Sequence, residues 1–201
     1  IMINLLHGDC LEQMKTLDDN SVDSIVSDPP YGISFMAKKW DYDVPSVEVW
    51  KEAMRVLKPG GHALIACGTR TQHRMVVNIE DAGFEIRDVV SWIYGSGFPK
   101  SLNIHKKDER CPDGWGTALK PACEFFTLCR KPLSEKTIAA NVLKWGTGGI
   151  NIDGCRVETE ENCSRKKSLV KDTAAGFGKG VAMGGNGHDA GRFPANLIHD
   201  G

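Results

Sequence analysis

The stretch Val22-Asp23-Ser24-Ile25-Val26-Ser27-Asp28-Pro29-Pro30-Tyr31-Gly32 decides the fold. Val22 to Ser27 reads as a buried strand. It runs into two prolines, which have no N–H for a sheet ladder, so the chain must turn out of the sheet there. Upstream, Ile3 to Leu6 reads as a short first strand ending at Gly8-Asp9, and Leu11, Met14 and Leu17 recur at helical spacing until Asp18-Asp19-Asn20. Downstream, Val47, Trp50, Ala53, Met54 and Leu57 make one apolar stripe, with Ser46 as N-cap and Pro59-Gly60-Gly61 as stop. His62 to Cys67 is the next strand. Met75, Val76, Ile79 and Ala82 mark a helix ended by Gly83, and Phe84 to Tyr94 is a long strand rich in β-branched and aromatic residues. This alternation predicts an α/β fold with a mostly parallel sheet flanked by helices. Ligands of such sheets bind at the carboxyl ends of the strands, where Gly8-Asp9, Asp28 to Gly32 and Gly68-Thr69 fall.

After Tyr94 the apolar rhythm is lost. The expected organisation is a catalytic α/β portion over 1–94 and a loop or target-recognition insertion over 95–122. A last sheet strand over 123–131 and an irregular, glycine-rich recognition or mobile region over 132–201 complete it. Within the last region Ile138 to Trp145 reads as a short helix, 173–191 as a mobile loop, and Arg192 to His199 as a partial return to order. No run approaches the ~20 apolar residues of a membrane span, and the first residues lack the pattern of a secretion signal, so the expected location is cytoplasmic. The seven cysteines include no Cys-x-x-Cys pair, which predicts no metal knuckle and leaves them as buried free thiols.

Net charge is −1, but it is unevenly spread. Residues 1–60 carry 6 Lys/Arg against 10 Asp/Glu, whereas residues 97–147 carry 9 against 5. A basic middle in a neutral chain allows a local phosphate-binding face or an ordinary solvated surface. If the former, Lys100, Lys106, Lys107 and Arg110 are the leading DNA-binding candidates.

The turn at Asp28 to Tyr31 has a chemical use. The exocyclic amino nitrogen of adenine or cytosine is a poor nucleophile, because its lone pair is delocalised into the ring. A carboxylate can accept one amino hydrogen, and a carbonyl whose direction is fixed by proline can accept the other. Together they draw the nitrogen toward tetrahedral geometry and free the lone pair. An aromatic ring next in line can stack on the base, which must first leave the duplex.

On these residues the chain resembles the amino-directed DNA methyltransferases, in a phage- and prophage-like branch. The resemblance runs from Gly8-Asp9-Cys10-Leu11-Glu12 through Asn20-Ser21-Val22-Asp23 to Asp28-Pro29-Pro30-Tyr31-Gly32. It continues at Leu57-Lys58-Pro59-Gly60-Gly61, Gly95 to Lys100 and Glu124 to Pro132. It implies a Rossmann-like methyltransferase fold, S-adenosylmethionine as cofactor, double-stranded DNA as partner and a place in restriction-modification. Catalysis is implied at Asp28, Pro29, Pro30 and Tyr31, and cofactor contacts at Asp9, Cys10, Asp28 and Pro29. Asp9 fits a helix N-cap equally well. Asp rather than Ser at the head of the loop leans toward adenine, with cytosine as the alternative, and an RNA substrate stays open. No ring-carbon methylation is expected, since Pro121-Ala122-Cys123 is not the Pro-Cys arrangement which that chemistry uses.

One family feature is missing. Members whose catalytic loop comes first carry a Phe-x-Gly-x-Gly cofactor loop after a strand near the C-terminus. Gly176-Phe177-Gly178-Lys179-Gly180 imitates it, but no strand precedes it and no apolar helix follows. The chain, with Ile1 ahead of Met2, is therefore expected to be an incomplete catalytic half. A missing C-terminal portion or second chain would supply the cofactor loop. The competing expectation is a non-catalytic DNA- or partner-binding remnant.

Overall fold

The computed structural model describes residues 3–97, 101–159 and 191–199. It divides into a larger unit, Ile1–Gly149 with Asn196–Gly201, and a smaller one, Ile150–Ala195. The larger unit holds β1 (Val22–Ser27), β2 (Leu57–Cys67), β3 (Glu85–Ile93), β4 (Cys123–Arg130) and β5 (Leu197–His199). Its helices are α1 (Cys10–Met14), α2 (Val47–Val56), α3 (Gln72–Asp81) and α4 (Ile138–Trp145).

The sheet order is β1-β2-β4-β3-β5. β1 is parallel to β2 and β3 is parallel to β5, while β4 is antiparallel to both β2 and β3. Four strands therefore point one way and β4 alone is reversed. The reversal follows from the insertion: Tyr94 N donates to Ala122 O at 3.0 Å, so the chain re-enters the sheet at the edge it left. The result is an α/β fold of the Rossmann-like kind with a mixed sheet.

β2 lies centrally and is buried along most of its length, as expected of a strand covered on both faces. α2 presents Trp50, Ala53 and Val56 to the core, and α3 presents Met75 and Ile79. They pack with Leu57, Ala63, Ile65, Cys67, Phe84 and Cys129. Burying each large aliphatic side chain contributes ~1.5–3 kcal/mol.

Several expectations need correction. Ile3 to Leu6 forms no strand; Ile3, Leu5 and Leu6 are exposed, and apolar residues alone do not make a strand without a ladder partner. β1 is not buried but is an edge strand, with Asp23, Ser24 and Val26 exposed, the last at 77%. β4 is not the last strand, because β5 adds to the far side of β3, anchored by Asn196 O accepting from Ser91 N at 3.0 Å. Pro59-Gly60-Gly61 does not separate helix from strand. α2 ends at Val56 and β2 begins at once, so the three residues form an irregularity within it between the pairs Val22–Leu57 and Ser24–His62. The Pro59 carbonyl, lost to the ladder, accepts instead from Asn141 Nδ2 (2.8 Å) and Thr147 Oγ1 (2.6 Å). α4 spans the predicted residues, with Thr137 as N-cap and Gly146 as C-cap.

Among the described cysteines all are free, but only Cys67 and Cys129 are buried; burial pushes the Cys129 thiol up to about 12. In the smaller unit Val157 bridges to Arg192, and Arg156 pairs with Asp153 and donates to Gly191 O. The imitation glycine loop at 176–180 lies outside the described residues, as does 173–191 but for Gly191.

Candidate active site

The chain leaves β1 at Asp28, whose side chain is exposed at the carboxyl end of the strand, and passes through the half-buried Pro29, Pro30 and Tyr31. Gly32 then turns sharply. Its φ is +67°, and a Cβ there would lie 2.8 Å from Val44 N, so neither the backbone conformation nor the space admits a side chain.

The segment that follows is strained. Ser34, Met36 and Ala37 all have φ between +51° and +55°, a region L-residues avoid. What holds it is Asp41, in the short 3-10 turn Lys39–Asp41, with 2% of its surface exposed. Its Oδ1 accepts from Gly32 N at 2.9 Å, and its Oδ2 accepts from Phe35 N at 2.7 Å and Ile33 N at 3.3 Å. Its own carbonyl accepts from Ser34 N at 2.7 Å. Burial pushes the Asp41 carboxyl up, but the amides of Phe35, Gly32, Tyr31 and Ile33 outweigh that and leave it below the usual carboxylate range. A buried carboxylate thus ties the backbone after Tyr31 into one conformation. Sequence reasoning missed Asp41, because nothing local distinguishes it from neighbouring Asp43.

Tyr31 is not a free aromatic flag. It packs against the core, and its ring lies over Gly68 at the carboxyl end of β2, where a Cβ would come within 3.1 Å of ring carbon Cδ2. Its phenol is held above its ordinary value, first by burial and then by the nearby Asp28 carboxylate, with Glu124 adding repulsion. Glu124, at the start of β4, also acts with burial to raise the Tyr94 phenol. The structure therefore gathers Asp28, Tyr31, Gly68 and Glu124 at one edge of the sheet. Gly68 lay in a strand-end loop anticipated from the alternation; Glu124 carried no local signal for this position.

Other expected site residues are placed differently. Asp9 is the N-cap of α1: its Oδ1 accepts from Leu11 N (3.0 Å) and Glu12 N (3.3 Å). Its Oδ2 accepts no hydrogen bond among the described residues. Cys10, the first residue of that helix, is exposed. No hydrogen bond joins either residue to the Asp28–Tyr31 loop among the described residues. Lys106 and Lys107 are exposed on the 95–122 insertion. Arg110, exposed on the same insertion, pairs with its neighbour Asp108, with Nη2 at 2.6 Å from Oδ2. Lys100 lies outside the described residues. No group of three or more His, Cys, Asp or Glu among the described residues could hold a metal ion, and no helix there is long and apolar enough to cross a membrane.

The sheet edge and its loop have relatives. The DNA methylase family, the N6- and N4-directed group, matches residues 22–173. That span takes in Asp28 to Tyr31, Asp41, Gly68 and Glu124, and the chain belongs to this family. It is 28% identical to the type II methyltransferase M.HindIII of Haemophilus influenzae over 198 residues, covering 73% of this chain and 64% of that protein. It is 29% identical to the type II methyltransferase M.HinfI of the same species over 154 residues, covering 66% of this chain and 39% of that one. The chain thus spans less than two thirds of either relative. Among solved structures, the cytosine-N4-specific PvuII DNA methyltransferase aligns with 66% of this chain and 51% of its own, at a TM-score of 0.45 and 18% identity.

Proposed function

We propose that the chain is the catalytic portion of a site-specific DNA methyltransferase that moves a methyl group from S-adenosylmethionine to the amino nitrogen of a flipped-out adenine in double-stranded DNA. The observation that carries this reading is the exposed Asp28 carboxylate beside the Tyr31 ring at the carboxyl end of β1, on a loop locked by Asp41. Asp28 accepts one amino hydrogen and the carbonyl of Pro29 accepts the other, leaving the lone pair directed out of the base plane. Tyr31 offers the base the ring face that Gly68 does not cover. The new N–C bond leaves the nitrogen with one proton too many, and Asp28 is placed to receive it. Acceptors fixed before the reaction need no reorganisation during it, which is the contribution the Asp41 lock makes.

The cofactor supplies an electrophilic methyl group. To one wall of its pocket we assign Asp28 and Pro29 at the end of β1 together with Asp9, whose Oδ1 caps Leu11 N and Glu12 N and whose Oδ2 could accept from a ligand hydroxyl or amine. Cys10 is the remaining contact the family resemblance assigns. The glycine-rich loop of the second wall would come from a further C-terminal portion or a second chain. A DNA substrate in a bacterial cell places the protein in the cytoplasm.

The test is methyl transfer from labelled S-adenosylmethionine to duplex DNA by the protein, with nucleoside analysis of the product. N6-methyladenine is expected. N4-methylcytosine would keep the mechanism and change the base, since the same two acceptors suit either amino group. Asp28→Ala should lower turnover by about 10²–10³-fold, the scale of losing one preorganised polar contact. Near-normal turnover in that variant would remove the assignment.

A further inference from the structure

The arginines of the larger unit divide into two kinds. Arg55 is paired with Asp19 and Glu52, Arg87 and Arg130 with Glu85, and Arg110 with Asp108. Arg70 and Arg74 are exposed and have no carboxylate partner among the described residues. Both flank the start of α3, Arg70 just before its N-cap Thr71 and Arg74 in its first turn, with His73 exposed between them. That turn holds no acidic residue, whereas α1 has Glu12 and α2 has Glu48 in theirs. Cations at a helix N-terminus oppose the helix dipole. A local preference is broken here with no compensating partner among the described residues, a pattern that marks functional surfaces.

Their place in the fold points to what they bind. Gly68 O accepts from Thr71 N at 3.2 Å and from Gln72 N at 3.1 Å, a tight turn that fixes Arg70 two residues from Gly68. Gly68 is the residue on which the Tyr31 ring lies. Arg70 thus lies on the turn that leaves Gly68, and Arg74 in the first turn of the helix that follows it, on the same strand-end loop that the Tyr31 ring covers. A base swung out of the duplex stays attached to its sugar and to the phosphates on either side of it. A guanidinium matches two oxygens of a phosphate with parallel N–H donors.

Resting on the DNA methyltransferase reading above, we infer that Arg70 and Arg74 form a contact for the backbone phosphates flanking the target nucleotide. The contact carries no sequence information. It positions the strand so that the extruded base meets Tyr31 and Asp28. Lys106 and Lys107 on the insertion are the other candidates for such a contact, and they serve as the comparison in its test.

The test is duplex DNA binding by the protein as a function of salt, for wild type, Arg70→Gln/Arg74→Gln, and Lys106→Gln/Lys107→Gln. Neutralising a true phosphate contact lowers the slope of log affinity against log salt by about 0.9 per residue. The arginine pair should therefore lose about 1.8, equally on target and non-target duplexes, with its melting temperature unchanged or slightly raised. An unchanged slope in the arginine pair, with normal binding by wild type, overturns this contact and leaves the methyltransferase reading standing. So does weakened S-adenosylmethionine binding with unchanged DNA binding, because the anion would then be the cofactor carboxylate. A wild-type protein with no affinity for duplex DNA overturns both readings.

Discussion

Replacing Asp41 should release the loop after Tyr31 without unfolding the sheet. Its carboxylate receives short hydrogen bonds from Gly32 N (2.9 Å) and Phe35 N (2.7 Å) and a longer one from Ile33 N (3.3 Å). A hydrogen bond to a charged group contributes ~1.5–3 kcal/mol net, so the two short ones supply ~3–6 kcal/mol to loop closure. Against this stand Ser34, Met36 and Ala37 in the left-handed region, at ~1–2 kcal/mol each or ~3–6 kcal/mol together. The two sums are similar, so the strained segment keeps its shape only while Asp41 is present. In Asp41→Ala the amides lose every acceptor on that side chain. In Asp41→Asn one oxygen becomes an NH₂ that faces N–H donors, so the isosteric variant is not a rescue. Hydrogen exchange reads the effect directly. The amides of Gly32, Ile33 and Phe35 should exchange about 10²–10⁴-fold faster in Asp41→Ala, taking ~1.4 kcal/mol per decade, while Ala63 and Ile65 in β2 keep their protection. The pH dependence has a definite sign. The folded carboxyl is lowered, so its contribution is fully present above the ordinary Asp value of ~3.9 and is lost as pH falls through the folded value below it. Wild-type loop protection should be flat from pH 5 to 8 and collapse only in stronger acid, a step absent from Asp41→Asn. Unchanged protection at residues 32–35 in Asp41→Ala would refute the reasoning.

Two further substitutions probe the ring beside that loop. Gly68→Ala places a methyl group 3.1 Å from the Tyr31 ring, which must shift by a few tenths of an ångström. Methyl transfer should fall while the melting temperature changes little, and a variant with wild-type turnover would show that the ring position is not critical. Tyr31→Phe should keep most activity, because the stacking face survives, whereas Tyr31→Ala should weaken engagement of the flipped base by ~1–3 kcal/mol. Equal losses in the two variants, measured as KM for DNA against kcat, would shift the weight to the Tyr31 hydroxyl beside Asp28.

What was legible in the sequence was whatever is encoded locally. α2, α3 and α4 announce themselves by apolar spacing and end signals. Asp28-Pro29-Pro30-Tyr31 announces itself because two prolines after a strand have few structural uses. Ile3 to Leu6 and β1 were misread for a shared reason: an apolar run says that a segment can be buried, but burial depends on which neighbours the sheet supplies. The same limit hid β5, three residues whose strand state exists only because β3 offers an edge. The site divides along the same line. The groups proposed to react lie in one short stretch, but the parts around them are distant in sequence: Asp41 returning to Gly32, Gly68 under Tyr31, Glu124 arriving on the reversed strand. Asp41 and Asp43 look alike in the chain, yet Asp41 is buried under loop amides while Asp43 Oδ1 accepts only from Val44 N at 2.8 Å. Which aspartate holds the loop after Tyr31 is settled by the turn at Gly32, whose φ of +67° aims successive N–H groups at a common point. The left-handed glycine that ends the motif thus does more than let the chain turn; it creates the acceptor vacancy that Asp41 fills, and Gly32→Ala should reproduce the loop release of Asp41→Ala even with the carboxylate intact.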